Sequence, residues 1–284
     1  MYKKFFGFHE APFNMTPDPH FMYFSKRHME LLSCLHYGVE WRKGFIEVTG
    51  EVGAGKTTVC RFFLENIKDK ARTALILNPN LSGVQLLQTI AEDFGIAVKG
   101  RNKKALFDGI NNFLLNVLRE GENAVLIIDE AQNLSTKALE QIRLISNLET
   151  EKQKLIQIVL VGQPELKNLL KSPSLTQLRQ RIAVRYHLTP LDYTEVEEYI
   201  YHRLKMAGAR EKEIIFTSQA IRSIYEYSKG IPRLVNVLCD KVLLAAFVRE
   251  TKHIIYQIVE EAIREIEGFV PSDVRHTIMT EIYT

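Results

Sequence analysis

Apolar positions in the first two-thirds of the chain form short continuous runs, separated by longer segments with helical spacing. The continuous runs predict strands buried on both faces, over residues 45–48, 73–78, 124–130, 155–162 and 183–188. Apolar residues three and four positions apart predict helices over residues 25–43, 58–64, 81–94, 103–119, 135–148, 164–170 and 175–182. Strands that alternate with helices are typical of a parallel sheet, so we expect an α/β fold.

The pattern changes near residue 191, where the strand signals stop. The remaining helical segments cover residues 192–207, 218–229, 232–249 and 256–267. A switch from alternating strands and helices to helices alone predicts a domain boundary. We therefore expect an α/β domain over 45–191, an all-helical lid domain over 192–267 and a tail over 268–284.

The first 25 residues are rich in Phe, Pro and His. Pro12, Pro17 and Pro19 argue against a helix there. So many aromatic side chains need a surface to pack on. We expect residues 1–44, including the helix at 25–43, to pack on the core as a clasp. The alternative is that some of these aromatic rings form a wall of an adenine pocket.

Composition narrows the class of protein. The chain has 284 residues, of which 46% are apolar, which allows a sizeable core and excludes wholesale disorder. The formal net charge of +3 is too small to indicate nucleic acid by itself. Cys34, Cys60 and Cys239 are far apart and show neither metal-ligand spacing nor disulfide density. No apolar run approaches the ~20 residues of a membrane span, and the N-terminus lacks a signal-peptide pattern, so we expect a cytoplasmic protein.

The strongest chemical signal lies between the first strand and the next helix. Residues 50–57 fit the pattern G-x-x-x-x-G-K-[ST] at every fixed position. Glycines let the backbone N–H groups turn toward phosphate oxygens, and the following helix presents the positive end of its dipole. Lys56 would reach the β- and γ-phosphates, and the Thr57 hydroxyl would bind Mg²⁺. The predicted phosphate-binding residues are Gly50, Glu51, Val52, Gly53, Ala54, Gly55, Lys56, Thr57 and Thr58. The alternative is a chance glycine-rich turn.

A second signal is the pair of acids, Asp129 and Glu130, that follows five consecutive apolar residues. Ligands bind at the carboxyl ends of parallel strands. We expect Asp129 to hold Mg²⁺ through its water shell and Glu130 to act as the general base toward the attacking water. Two solvated acids at a surface strand end are the alternative.

Polar and basic residues farther along the chain supply further candidates. Gln163 follows a predicted strand and would face the γ-phosphate, although capping of a loop explains it equally well. An arginine can neutralise charge on a transferred phosphoryl group, and Arg179 and Arg181, with Arg185 nearby, are candidates in the same or a neighbouring subunit. Arg233 stands in the first turn of a predicted helix, where the dipole disfavours a cation, which indicates an outside partner. A solvated basic surface is the alternative for these arginines.

Taken together, these residues resemble the AAA+ ATPases and, more narrowly, the ATPase domain of the general secretion pathway A (ExeA/GspA/MshM-like) proteins. The N-terminal part of the resemblance rests on residues 6–8, 12–13, 16–19, 28 and 37–38. The remainder rests on residues 53–58, 129–134, 162–166, 178–181 and 230–233.

The resemblance implies an ATPase with Mg²⁺ as cofactor, a three-layer nucleotide-binding domain, a helical lid, and assembly into a ring or other homo-oligomer. It assigns Gln163 to the sensor-1 position, Arg179 or Arg181 to the arginine finger, and Arg233 to sensor 2. It implies coupling of ATP hydrolysis to assembly of a type II secretion or pilus envelope complex, with a membrane-associated partner and a peripheral location at the inner membrane. Such proteins continue into a membrane helix and a periplasmic part, so this sequence is either a short relative or a cytosolic part.

Another class shares much of this layout. Transposition regulators of the TnsC, MuB or IstB kind are ATPases that assemble on duplex DNA. A basic cluster that could contact DNA phosphates comprises Lys99, Arg101, Lys103 and Lys104. A solvated helix start is the alternative for this cluster. A slowly hydrolysing signalling switch of the STAND type is a third option, although its usual repeat or effector domain is missing from the sequence.

Overall fold

The computed structural model describes residues 2–15, 19–77, 79–97, 100, 102–151, 153–210 and 213–268. The helices, in chain order, are α1 (Tyr2–Phe6), α2 (Lys26–Glu40), α3 (Lys56–Ile67), α4 (Gly83–Asp93), α5 (Lys103–Arg119), α6 (Thr136–Ser146), α7 (Glu165–Leu170), α8 (Thr176–Arg181), α9 (Tyr193–Met206), α10 (Ser218–Ser228), α11 (Pro232–Val248) and α12 (Tyr256–Ile266). The strands are β1 (Phe45–Gly50), β2 (Ala71–Ile76), β3 (Asn123–Ile128), β4 (Gln157–Gly162), β5 (Ile182–Leu188), β6 (Ile215–Phe216) and β7 (His253–Ile254). Short 3₁₀ turns occupy Pro19–Phe21, Ala131–Asn133 and Pro173–Leu175.

The chain forms two compact units. The α/β unit is Phe24–Thr189, and the helical unit combines the described residues of 1–23 with those of 190–284. The α/β unit contains a five-stranded sheet with the order β2-β3-β4-β1-β5, and each neighbouring pair is parallel. The predicted α/β fold with a helical C-terminal part is thereby confirmed. The order places the first strand between the fourth and the fifth, so β1, β3 and β4 end side by side.

Burial in the sheet follows the position of each strand. All residues of β1 and β4 are buried, whereas in the edge strand β5 exposed positions alternate with buried or half-buried ones. Continuous apolar runs therefore marked the central strands, as expected for a parallel sheet covered on both faces. The main core joins the sheet to α4, α5 and α6, with Leu86, Ile110 and Leu139 fully buried.

Local capping explains where several helices begin. Ser25 is the predicted N-cap of α2, and its side chain accepts a hydrogen bond from the backbone N–H of His28 at 3.3 Å. Ser82 and Gln85 form a capping box at the start of α4. Gly95 closes the same helix with φ of +70°, a conformation in which glycine is favoured.

The helical unit differs from expectation at two points. Strand content does not stop near residue 191, because β6 and β7 form a two-stranded parallel ladder between helices. Two-residue strands carry no period that a sequence pattern can detect. A short helix, α1, also forms within the first 25 residues, since it ends before the first proline at position 12.

The N-terminal segment is divided between the two units. We expected residues 1–44 to pack together on the core, yet the described part of 2–23 packs with the helical unit, and only α2 packs with the sheet. Phe6, Phe8, Phe13 and Phe21 are buried in the apolar cluster of the helical unit. Arg203 anchors the segment there: its Nε donates to the Pro12 carbonyl at 2.5 Å. These four rings are therefore core residues of the helical unit.

Some predictions fall outside the described residues, namely positions 16–18 of the N-terminal segment, position 78 at the end of the second strand, and the tail beyond residue 268. Among the residues that are described, no helix is both long enough and apolar enough to cross a membrane.

Candidate active site

The sheet order brings the chemical signals of the sequence to one edge of the α/β unit. The glycine-rich loop follows β1, the two acids follow β3, and Gln163 follows β4. Because β3, β4 and β1 are adjacent and parallel, their carboxyl ends lie side by side. Ligands of open α/β sheets bind at this edge, near the point where the strand order reverses.

The glycines of the loop are required for different structural reasons. Gly53 and Gly55 have φ of +80° and +101°, in the region that side chains other than glycine rarely adopt. A Cβ atom on Gly55 would also lie 2.9 Å from Nε2 of His28. Gly50 is required for another reason, since its Cβ would lie 2.5 Å from the Leu188 carbonyl oxygen on β5. The observed path of the loop therefore requires glycine at these three positions.

Lys56 is the first residue of α3, and it is buried. Its Nζ donates to the carbonyl oxygens of Gly50 and Glu51, each at 2.8 Å, so the ammonium group is held inside the loop. Burial lowers the pKa of Lys56, while the nearby acids Glu130 and Asp129 act in the opposite direction. Among the described residues, the hydrogen-bond partners of this buried cation are backbone carbonyls, which fits a role as a phosphate ligand.

Asp129 and Thr57 are in direct contact across the site. The Thr57 hydroxyl donates to Oδ2 of Asp129, and the Glu130 backbone N–H donates to Oδ1 at 2.9 Å. Burial is the main cause that raises the pKa of Asp129, and these two hydrogen bonds partly offset it. A hydroxyl and a carboxylate are hard oxygen donors, the type that Mg²⁺ takes when it is held by one or two protein groups and by phosphates. The residues present therefore fit the magnesium that the sequence predicts.

Glu130 and Gln163 are brought together at the tips of β3 and β4. Nε2 of Gln163 donates to Oε2 of Glu130 at 3.1 Å. Glu130 has φ of +52°, an uncommon value for a residue other than glycine, and such values concentrate at functional sites. The contact places the predicted base beside the predicted γ-phosphate contact. Their catalytic roles stay predictions.

Gln157, the other glutamine near β4, lies away from the site. It is the first residue of β4, at the end of the strand opposite the site. Its Oε1 accepts a hydrogen bond from the Gly44 N–H at 2.7 Å, and the side chain is fully buried. This glutamine fixes the turn before β1.

The arginine group divides into paired and exposed members. Nε of Arg185 bonds to the buried carboxylate of Glu47 at 3.1 Å, and Nη2 donates to the Arg179 backbone carbonyl at 2.8 Å. Arg185 is therefore engaged within its own chain. The side chain of Arg179 is exposed and that of Arg181 is half-exposed, both in the last turn of α8. Either could act on a nucleotide of another subunit, and that role stays a prediction.

Arg233 lies in the helical unit, exposed in the first turn of α11. The start of this helix is fixed by Gly230, whose carbonyl accepts the Leu191 N–H at 2.9 Å. A Cβ on Gly230 would lie 1.9 Å from the Leu191 carbonyl oxygen, so only glycine fits. The predicted contact of Arg233 with a γ-phosphate stays a prediction.

Two residues of the site were given no role by sequence reasoning. His28, on α2, is buried; its Nε2 lies 3.1 Å from the Ala54 carbonyl oxygen and its Nδ1 lies 2.9 Å from Oγ of Ser25. Gln132 contacts both Glu130 and the backbone of Gln163. The sequence places His28 on an apolar helix face but does not indicate which group its ring contacts. A glutamine two residues after the acids is a signal only once the turn Ala131–Asn133 is known.

Comparison with known proteins agrees with this architecture. A family profile described as an AAA domain matches residues 40–170, which include the glycine-rich loop, the acid pair and Gln163. Over 269 residues, 94% of this chain, the sequence is 45% identical to general secretion pathway protein A of Aeromonas hydrophila. The chain spans 49% of the length of that protein.

Solved structures with low sequence identity share the fold. ORC2 of Aeropyrum pernix matches with a TM-score of 0.67 and 16% identity, over 94% of this chain and 74% of that chain. Cdc6p of Pyrobaculum aerophilum matches with a TM-score of 0.66 and 20% identity, over 88% and 71%. The RuvB motor of Thermotoga maritima matches with a TM-score of 0.52 and 20% identity, over 92% and 76%.

Proposed function

Because this chain belongs to the AAA+ proteins and is related over nearly its whole length to general secretion pathway protein A, we propose that it binds and hydrolyses ATP with Mg²⁺. The observation that carries the proposal is the meeting of Lys56, Thr57 and Asp129 at one sheet edge, with Glu130 and Gln163 beside them. The AAA+ relationship favours ATP over GTP.

In this proposal the loop residues bind the phosphates through their backbone N–H groups and the Lys56 ammonium. Thr57 and Asp129 supply the protein oxygens for Mg²⁺, which neutralises charge on the phosphates when it is bound. Glu130 accepts a proton from the attacking water as general base, and Gln163 orients its carboxylate. Arg179 or Arg181 stabilises the charge of the transition state, from the same or a neighbouring subunit, and Arg233 links the phosphates to the helical unit.

The cellular role is proposed from the related protein. We infer that the chain couples its nucleotide state to the assembly of a secretion or pilus envelope complex, as a homo-oligomer on the cytoplasmic side of the inner membrane. The 45% identity over 94% of the chain supports this relation. The partner would be a membrane-associated component of that complex.

Duplex DNA is the partner that the alternative requires. Lys103 and Lys104 are exposed in the first turn of α5. Lys99 and Arg101 of the predicted basic cluster lie outside the described residues. No observation on the described residues favours DNA over solvent for these lysines.

Size-exclusion chromatography with light scattering, with and without ATP and duplex DNA, tests both proposals. ATP-dependent assembly without DNA supports the first, and assembly that requires DNA supports the alternative.

Binding itself is tested by titration with a fluorescent ATP analogue. Lys56→Ala removes the buried ammonium and is expected to abolish binding. Lys68→Ala is the matched control: it removes an exposed lysine from the end of the same helix and should leave affinity unchanged. Micromolar affinity retained by Lys56→Ala would contradict the proposed site.

A further inference from the structure

The side chain of Gln132 lies across the tips of two neighbouring strands. Its Nε2 donates to Oε2 of Glu130 at 2.6 Å, and its Oε1 accepts the backbone N–H of Gln163 at 3.1 Å. The carboxamide orientation follows from its partners, since a carboxylate only accepts and a backbone N–H only donates. One side chain therefore joins Glu130, the second residue after β3, to Gln163, the first residue after β4.

The surroundings are built to admit this side chain. A Cβ on Gly162, the last residue of β4, would lie 2.7 Å from Oε1 of Gln132. The space beside β4 is therefore available to the carboxamide only because residue 162 is glycine. On the other side, the φ of +52° at Glu130 turns the chain into the 3₁₀ turn that carries Gln132. A strained residue and a glycine together define its position.

The hydrogen bonds at Glu130 are unequally divided between its two oxygens. Gln132 and Gln163 both donate to Oε2, at 2.6 and 3.1 Å. No hydrogen bond from the described part of the chain reaches Oε1. Two donors on one oxygen fix the plane of the carboxylate and leave the other oxygen to accept a proton. A general base must be held in this way within hydrogen-bond reach of the water that it activates.

We propose that Gln132 is a positioning residue for hydrolysis: it fixes Oε2 of Glu130 and ties the base to the end of β4, so that Oε1 faces the attacking water. This inference rests on the proposed ATPase function. Gln132 itself contacts neither nucleotide nor water in this role. Its effect is on the rate of the chemical step, because preorganised groups accelerate a reaction while a misplaced base does not.

Gln132→Met tests the role with little change in side-chain length. The variant loses both hydrogen bonds, and we expect kcat to fall about tenfold or more, with the roughly 10²–10⁴-fold contribution of a general base as the upper limit of the loss. KM for ATP and affinity for a fluorescent ATP analogue should stay unchanged, because the glycine-rich loop is intact. Gln132→Glu keeps an acceptor for the Gln163 N–H but places a second carboxylate beside Glu130, and kcat should fall further.

A double-mutant cycle separates positioning from a general structural effect. In a Glu130→Gln background, Gln132→Met should cause no further loss of single-turnover rate, since the group that it positions is gone. Gln141→Met is the matched control, because Gln141 is a half-buried glutamine on α6 and should retain parental kcat. Thermal melting of each variant checks that it folds.

The inference would be overturned by parental kcat in Gln132→Met and Gln132→Glu, or by an equal fold-loss of rate in both backgrounds. Failure of the proposed function is visible separately, in the parental protein. If the parent binds ATP but turns none over, the ATPase proposal falls, and the role of Gln132 falls with it.

Discussion

The hydroxyl of Thr57 donates a hydrogen bond to the carboxylate of Asp129, which joins the first turn of α3 to the end of β3. These are the two side chains that we assign to Mg²⁺ binding, Thr57 through its hydroxyl and Asp129 through the water shell of the ion. Because the hydroxyl and the carboxylate lie side by side, both groups can act on one Mg²⁺. The pair therefore gives a direct test of the metal site.

Thr57→Val keeps the shape of the side chain and removes the hydroxyl. We expect the affinity for an ATP analogue in EDTA to stay near the parental value. With MgCl₂, the tightening seen in the parent should be reduced about tenfold or more, the order of loss known for disturbed metal ligation. The measurement is a titration of parent and variant in both buffers. Equal tightening by Mg²⁺ in the two proteins would remove Thr57 from the site.

Gly55→Ala is expected to abolish nucleotide binding. The φ of +101° costs an alanine about 1–2 kcal/mol, and its Cβ would meet His28 at 2.9 Å, so the loop must move. Gly95→Ala is the matched control: its φ is +70°, but its Cβ would meet no atom within 4 Å. Both variants should melt at lower temperature, and only Gly55→Ala should lose binding. Binding lost in both, or in neither, would contradict this role of the loop.

Arg185→Ala is expected to affect stability. It leaves the carboxylate of Glu47, only 6% exposed, without its cation, and the free energy of unfolding should fall by about 1–3 kcal/mol. The double variant Glu47→Gln/Arg185→Ala should recover part of the loss, because the buried charge is gone. Denaturant unfolding measures both.

Arg179→Ala is the contrasting variant, since its exposed side chain can be removed while its backbone carbonyl still accepts from Arg185. We expect parental stability and a reduced ATPase rate. A variant with parental rate would leave Arg181 as the candidate for the transition-state arginine.

His187, on β5, predicts a pH dependence of stability. Its Nδ1 lies 3.1 Å from Oγ1 of buried Thr49, and partial burial lowers its pKa, with Lys167 adding to the effect. A histidine whose pKa is lower in the folded state stabilises the fold above its unfolded pKa, and this contribution is lost as pH falls through the folded pKa. His187→Gln cannot titrate, so its melting temperature relative to the parent should be more favourable at pH 5 than at pH 7.5. An unchanged difference between the two pH values would exclude this coupling.

Much of the α/β unit could be predicted from the sequence because central strands are buried on both faces and glycines end the helices. Strand boundaries moved by only one or two residues, as for β2 and β5. The order of the strands then placed Lys56, Asp129 and Gln163 at one edge. The N-terminal phenylalanines were harder to place, because an apolar side chain indicates burial but not which core receives it.

Contacts between distant polar side chains could not be predicted in the same way. In the sequence, Gln132 is only one of the residues that carry the family resemblance, and no role could be predicted for it. Its role depends on the turn after Glu130 and on the space left by Gly162. Arg185 was grouped with its neighbours because nothing in the sequence indicates that its partner is Glu47 on β1. Each of these contacts depends on the register between strands. The pattern of apolar and polar residues along a single sequence does not specify that register.

The central claim is that Glu130 is the general base that activates the water for attack on bound ATP. The most direct test is single-turnover hydrolysis of ATP with Mg²⁺ by the parent and by Glu130→Gln, with the affinity of each for an ATP analogue measured beside it. We predict retained binding and a rate lowered about 10²–10⁴-fold in the variant. Hydrolysis by Glu130→Gln at the parental rate would contradict the account.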